Sequence, residues 1–259
     1  MSNSQSHLYT FPGKAELAES LQQYVLKAEA AALAHHGTFR VAVSGGSLPV
    51  ILAEALLQKA TTPQFGKWDI FFADERAVPL DHADSNYFLL KEEFLNKIPA
   101  ELGTPSVHPI AEKHANQDDD PQQLADLYQD ELKRAFTGGE NEALPIFDLI
   151  LLGCGPDGHT CSLFPGHSLL QEKTAWVAAI SDSPKPPPKR ITLTLPVVAA
   201  AAQIAFVATG GGKKEIMRDI FDSEDGCGLP SSLVNKAAGG KVSWFTDSPA
   251  TEGVAYARG

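Results

Sequence analysis

Short apolar runs of strand length alternate with longer amphipathic stretches along most of the chain. Phe39-Arg40-Val41-Ala42-Val43, Trp68-Asp69-Ile70-Phe71-Phe72-Ala73, Ile146 to Leu152, Ala175 to Ile180, Arg190 to Leu195, Ile204 to Ala208 and Val242-Ser243-Trp244-Phe245 read as strands. Lys14 to about His35 carries Leu17, Leu21, Tyr24, Val25 and Leu33 amid alanines, the spacing of an amphipathic helix. Further helices are expected from Pro49 to Leu57, from Asp84-Ser85-Asn86 to about Asn96, from Pro121 to Phe136 and from Lys213 to Phe221. Val107 to Ile110 reads as a short strand and Gly138-Gly139-Glu140-Asn141 as an exposed loop. Strands alternating with helices predict an α/β fold: an open, mostly parallel, Rossmann-like sheet with helices on both faces. Without a fixed-period repeat or a low-complexity linker, residues 1–259 are expected to form a single domain.

Four strand ends carry polar or glycine-rich loops: Ser44-Gly45-Gly46-Ser47, Asp74-Glu75-Arg76, Gly153 to His159, and Thr209 to Lys213. In a parallel sheet these ends share one edge, so the loops converge on one crevice. The loop Gly153-Cys154-Gly155-Pro156-Asp157-Gly158-His159-Thr160 is the most informative. Asp157 and His159 can reach the same crevice, and a histidine there can take a proton from water near neutral pH. Gly153-x-Gly155-x-x-Gly158 formally fits the dinucleotide-binding fingerprint. Pro165-Gly166 breaks the chain before a helix of the required length, so nicotinamide or flavin binding is not expected. Ser44 to Ser47 presents backbone N–H groups and two hydroxyls at a helix start, an anion site; it also reads as a plain turn with Ser47 as N-cap.

Composition sharpens this picture in two ways. A net charge of −11 argues against general nucleic-acid binding, and it means that an anionic substrate needs a local basic cluster. Arg76, Lys185, Arg190 and Lys213 can supply one. Lys185, Lys189 and Arg190 lie in Ser183 to Arg190, a segment stiffened by prolines. A phosphate dianion suits arginine forks and fixed N–H groups. The competing readings are a structural ion pair at Arg76 and a solvated linker or partner-binding segment at the prolines. The three cysteines, Cys154, Cys161 and Cys227, form no C-x-x-C unit, so neither a disulfide framework nor structural zinc is expected. A thiol nucleophile at Cys154 or Cys161 competes with a packing role. The remaining histidines have no partners at metal spacing. Met1 to Ser6 lacks the features of a signal peptide and no apolar run is of membrane-spanning length, so a cytosolic protein that leaves membranes alone is expected.

Together these segments resemble the 6-phosphogluconolactonase family, within the larger group that includes glucosamine-6-phosphate deaminases. The resemblance rests on Ser44-Gly45-Gly46-Ser47, Asp74-Glu75-Arg76-x-Val78-Pro79 with Ser85-Asn86, Gly153-x-Gly155-x-Asp157-Gly158-His159-Thr160-x-Ser162-Leu163-Phe164-Pro165-Gly166, Arg190 to Thr194, and Gly212-Lys213. Leu48 departs from the pattern, since many relatives have threonine there.

The resemblance implies hydrolysis of 6-phospho-D-glucono-1,5-lactone to 6-phosphogluconate in the oxidative pentose phosphate pathway, with no metal and no organic cofactor. It implies an open CoA-transferase-like sheet, a small sugar-phosphate lactone as partner, and a monomer or weak homodimer. His159 would be the general base, with Asp157 and Asp74 orienting or polarising the site. Arg76, Lys185, Arg190 and the loop Ser44, Gly45, Gly46, Ser47 would hold the phosphate, and Lys213 or backbone N–H groups would stabilise the oxyanion. The rival deaminase reaction needs a second acid–base group, and by resemblance its glutamate stands where this chain has Phe164. A non-catalytic sugar-phosphate sensor on the same fold would not need His159; no output module accompanies this chain.

Overall fold

Apolar strands buried on both faces organise the molecule. The computed structural model describes residues 5–58, 62–137 and 143–256. Its strands are β1 (His7–Phe11), β2 (Phe39–Val43), β3 (Trp68–Phe72), β4 (Asp74–Arg76), β5 (Ser106–Val107), β6 (Leu149–Gly153), β7 (Val177–Ile180), β8 (Arg190–Leu193), β9 (Ile204–Ala208) and β10 (Val242–Asp247). Its α-helices are α1 (Lys14–His36), α2 (Leu48–Leu56), α3 (Asn86–Glu93), α4 (Pro121–Thr137), α5 (Leu195–Ala200), α6 (Lys214–Phe221) and α7 (Pro230–Ala238).

Seven strands form one sheet in the order β1-β10-β9-β6-β2-β3-β5, and every neighbouring pair is parallel. Strand β2 pairs with β3 on one side, Val41 opposite Ile70, and with the central strand β6 on the other, Val41 opposite Leu149. The chain builds outward from there in two directions: β2, β3, β5 one way and β6, β9, β10 the other. The order reverses between β2 and β6, so the crevice beyond their carboxyl ends is the switch point where such sheets bind ligands. Right-handed crossovers place α1 and α2 on one face and the helices linking β6, β9 and β10 on the other. In agreement, α1 packs on α2, and α7 packs on α5 and α6.

Every residue of β9 is buried, and Phe206 stacks on Trp244 of β10 with ring centroids 4.0 Å apart. Fully burying such side chains contributes about 1.5–3 kcal/mol each, which holds the loop-bearing strand ends at fixed spacing.

The expected elements are present, with corrections. Asp74-Glu75-Arg76, expected as loop, is a short strand. With β8 and β7 it makes a separate antiparallel sheet in the order β4-β8-β7, so β7 and β8 lie outside the parallel sheet in which they were expected. The amide of Leu193 donates to Ala73 O at 2.8 Å and joins the two sheets beside the crevice. The helix expected to run to Asn96 ends at Glu93 and continues as a 3-10 turn over Leu95–Lys97. β1, α5 and α7 were not anticipated; the short α5 and α7 lack a long apolar stripe and form against the core. The expected loop at Gly138 to Asn141 lies outside the described residues, as do Met1 to Ser4 of the polar start.

Candidate active site

The loops after β2, β3, β6 and β9 close around a cleft of about 340 Å³ at the switch point. Among its walls are Ser44, Gly45, Gly46, Ser47, Asp74, Arg76, His159, Lys185, Arg190 and Lys213. All the residues singled out in the sequence are thus brought together except Asp157, which stands behind His159. A hollow of about 600 Å³ beside Arg40 and Leu144 is larger but mostly apolar.

The loop after β2 is pinned by Ser44 N donating to Leu151 O at 3.0 Å. A side chain at Gly45 would overlap Asn86 Oδ1, so only glycine lets α3 approach this loop, and Gly46 has φ 72°, in the left-handed region. The Ser47 side chain makes no cap hydrogen bond, and it borders the cleft beside Leu48. Ser44 Oγ and Asn86 Oδ1 are buried without a protein partner. Buried hydroxyls and amides are normally satisfied, so a ligand's polar groups fit here.

After β6 the chain doubles back: Gly155 N donates to His159 O at 2.8 Å, and Thr160 Oγ1 to Gly153 O at 2.9 Å. The α7 N-terminus braces the loop, with Ser231 N and Ser231 Oγ both donating to Gly158 O at 3.1 and 3.0 Å. No α-helix starts directly after Gly158; a 3-10 turn at Ser168–Gln171 is the next helical element. The dinucleotide fingerprint therefore lacks its helix.

His159 Nδ1 lies 2.5 Å from Asp157 Oδ1. The Lys185 ammonium stands against both, 3.2 Å from Asp157 Oδ1 and 3.1 Å from His159 Nδ1. Burial pushes the Asp157 carboxyl up, but the His159 hydrogen bond and the Lys185 charge outweigh it and hold the group at about 2. Burial pushes the His159 imidazole down; the Asp157 carboxylate pulls it partly back and Lys185 pushes it down again, leaving it below the ordinary histidine value. Nδ1 is the ring nitrogen that meets both Asp157 and Lys185; a proton on Nδ1 shared with Asp157 would leave Nε2 with its lone pair. The ring rests on Phe164, with centroids 4.9 Å apart.

Asp74 is held from two sides. Ser162 Oγ donates to Oδ2 at 2.7 Å, and Asn86 Nδ2 donates to Oδ1 at 3.3 Å. Ser162 and Asn86 were not singled out as site residues. Both lie within the motif segments, and a polar pair at a helix start after an acidic strand end was the available signal.

The four expected cations are placed differently. Arg190 Nε donates to Pro187 O, and Arg190 Nη2 to Lys185 O and Pro186 O, at 2.9–3.0 Å, so Arg190 folds the proline-rich loop around itself. Burial and the neighbouring Arg76 charge lower its pKa. Arg76 Nη1 donates to Asp84 O at 2.6 Å, while its buried Nε has no partner. Lys213 Nζ donates to Cys154 O at 2.7 Å. Lys185 sits on the Asp157–His159 pair. Cys154 and Cys161 also border the cleft, but burial raises both thiols, which disfavours the thiolate a nucleophile requires. Among the described residues, no group of three or more His, Cys, Asp or Glu is arranged to hold a metal ion.

The profile of the family described as glucosamine-6-phosphate isomerases/6-phosphogluconolactonase matches residues 12–244. The chain belongs to this family. Within it, a probable 6-phosphogluconolactonase of Schizosaccharomyces pombe is 46% identical over 245 residues, 94% of each chain. The 6-phosphogluconolactonase of Homo sapiens is 42% identical, covering 93% of this chain and 90% of its own. The solved structure of 6-phosphogluconolactonase from Trypanosoma brucei superposes with a TM-score of 0.81 at 25% identity, covering 97% of this chain and 100% of that one. The superposition extends over the whole fold described above.

Proposed function

We propose that this protein hydrolyses 6-phospho-D-glucono-1,5-lactone to 6-phosphogluconate, with His159 as general base. The observation that supports the mechanism is the Asp157–His159 pair: Nδ1 lies 2.5 Å from the carboxylate and burial lowers the imidazole, so a neutral ring with its proton on Nδ1 would offer Nε2 as the base. Water adds to the lactone carbonyl carbon while Nε2 takes its proton. The carbonyl π electrons move to oxygen, and Lys213 and backbone N–H groups of the glycine loops stabilise that oxyanion. The tetrahedral intermediate collapses, the bond from carbon to ring oxygen breaks, and the imidazolium returns the proton to that oxygen. The ring opens to the carboxylic acid, which ionises. General-base catalysis of this kind is worth about 10²–10⁴-fold.

Arg76, Arg190 and the loop Ser44 to Ser47 hold the phosphate and fix the lactone carbon beside the water. Asp74, oriented by Ser162 and Asn86, polarises the site. Lys185 bridges the acid–base pair and the phosphate end. The naming of relatives at 42–46% identity supports the substrate. The environment of His159 supports lactone hydrolysis over the deaminase reaction, because the apolar Phe164 ring lies against it where a second acid–base group would be needed.

The three cysteines are unpaired, and no described helix is long and apolar enough to cross a membrane, which fits action on a soluble metabolite in the cytoplasm. The test is hydrolysis of freshly generated lactone in the presence of a chelator, with spontaneous opening subtracted. Rapid turnover is expected; none above background from folded protein would reject the reading.

A further inference from the structure

Glu75 lies between two site residues, is 0% exposed, and takes part in no step above. Its Oε1 accepts hydrogen bonds from Arg76 N and Asn86 N, each at 2.7 Å. Its Oε2 accepts from Tyr87 N at 2.8 Å and Ser85 Oγ at 3.1 Å. All four hydrogen-bond partners are donors, the arrangement a carboxylate requires. Three of the four donors belong to the start of α3, where the helix dipole favours an anion. The fourth is the amide of Arg76 in β4. One buried group therefore fastens β4 to α3.

Helix capping alone does not account for it. Ser85 already caps α3 by accepting from Phe88 N at 3.1 Å. Among the described residues no cation forms an ion pair with Glu75, and burial raises its carboxyl to about 7 against the pull of the Asn86, Tyr87 and Arg76 amides. An unpaired buried carboxylate is costly, and a well-packed apolar residue would serve a merely structural junction better. Position supplies the other reason. Arg76 and Asn86, whose amides share Oε1, both line the cleft. Asn86 Nδ2 carries the connection to Asp74 through Asp74 O at 2.9 Å and Oδ1 at 3.3 Å.

We propose that Glu75 is a positioning residue for substrate binding: its carboxylate sets the placement of Arg76 relative to Asn86, and so fixes both the guanidinium that meets the substrate anion and the orientation of Asp74. The choice of ligand rests on the lactonase reading; the positioning role does not.

The test compares wild type with Glu75→Gln, using Leu17→Ala, a buried α1 position away from the cleft, as a control for lost stability. KM for the lactone and Kd for 6-phosphogluconate are expected to rise about tenfold in Glu75→Gln, the loss of one charge-assisted hydrogen bond. Its kcat is expected to fall by less than KM rises, the signature of binding lost more than chemistry. Leu17→Ala should lower the melting temperature and leave KM and Kd alone. A Glu75→Gln protein that melts earlier but keeps wild-type KM and Kd would overturn the proposal.

Should Glu75→Gln not fold, amide hydrogen exchange of the wild type gives the answer. The Arg76, Asn86 and Tyr87 amides are expected to gain protection on saturation with 6-phosphogluconate, and unchanged exchange at all three overturns the role. A wild type that neither hydrolyses the lactone nor binds its product would reject the lactonase reading instead. The same exchange measurement with inorganic phosphate then decides the positioning role by itself.

Discussion

Arg76 and Arg190 are direct cross-strand partners in the antiparallel pairing of β4 with β8, so two guanidinium-bearing residues stand opposite each other at the cleft. Like charges placed so are destabilising. Their guanidinium groups donate to main-chain carbonyls of Asp84, Lys185, Pro186 and Pro187. The cost is offset when a dianion sits between them, since bidentate arginine–phosphate contacts are among the strong hydrogen bonds.

Arg76→Ala is accordingly expected to raise KM by about tenfold to a hundredfold, the worth of one charge-assisted hydrogen bond, with a smaller fall in kcat. Arg190→Ala should raise KM more than it lowers kcat, with an added stability loss because Arg190 also gathers three carbonyls of the proline-rich loop. Steady-state kinetics on the lactone, alongside thermal melting, separates the two effects. An unchanged KM in both variants would place the phosphate elsewhere.

His159→Ala should lose nearly all turnover, about 10²–10⁴-fold, while 6-phosphogluconate still binds. Because burial holds the imidazole below its ordinary value, kcat should stay high at neutral pH and fall only below about 6.5, the ordinary histidine value, as Nε2 becomes protonated. Asp157→Asn removes the charge that fixes the Nδ1 proton and should lower kcat with little change in Kd. Binding by calorimetry and a pH–rate profile check all three statements; full activity in His159→Ala would remove the histidine from the mechanism.

Gly155→Ala tests the local geometry by itself. An added Cβ there overlaps His159 Nδ1 and crowds Asp157 Oδ1, so the pair has to move. A displacement of this kind at the proposed base is expected to cost about a hundredfold in kcat, because angstrom-scale misplacement is that expensive. The melting temperature should change little, since Gly155 lies in a loop and outside the sheet. Activity and melting curves from one preparation decide it.

The parts of the fold that were legible in the sequence are those with local causes. Phe39–Val43 and Ile204–Ala208 are apolar runs of strand length, and both form strands with the expected bounds. The convergence of the Ser44, Asp74, Gly153 and Thr209 segments followed from parallel strands alone. The antiparallel sheet was not legible, because Asp74-Glu75-Arg76 is polar and becomes a strand only through pairing with β8. Nor were the partners of the four cations. Lys185 reaches Asp157 across 28 positions and Lys213 reaches Cys154 across 59, contacts that no spacing rule anticipates. Glu75 looked like one acid among several until its burial against the start of α3 set it apart.

His108 supplies a stability prediction away from the cleft. Its Nδ1 lies 2.8 Å from Glu131 Oε1 and its Nε2 3.7 Å from Asp69 Oδ1, and its ring stacks on Phe71 at 4.3 Å. Burial pushes the imidazole down, but the Asp69 and Glu131 carboxylates outweigh it and raise the group above its ordinary value. A histidine raised on folding binds its proton more tightly in the folded state than in the unfolded one. The stabilisation is therefore fully present below the unfolded value of about 6.5 and is lost as pH rises through the higher folded value. His108→Gln should destabilise the protein by about 1 kcal/mol at pH near 5.5, a size limited by solvent screening of a partly exposed pair. As pH rises toward about 8.5 and the imidazole gives up its proton, the difference should shrink toward the loss of packing on Phe71. Urea unfolding of both proteins at the two pH values measures the gap. A gap that stays constant or widens with pH would mean that the two carboxylates do not hold the proton on His108.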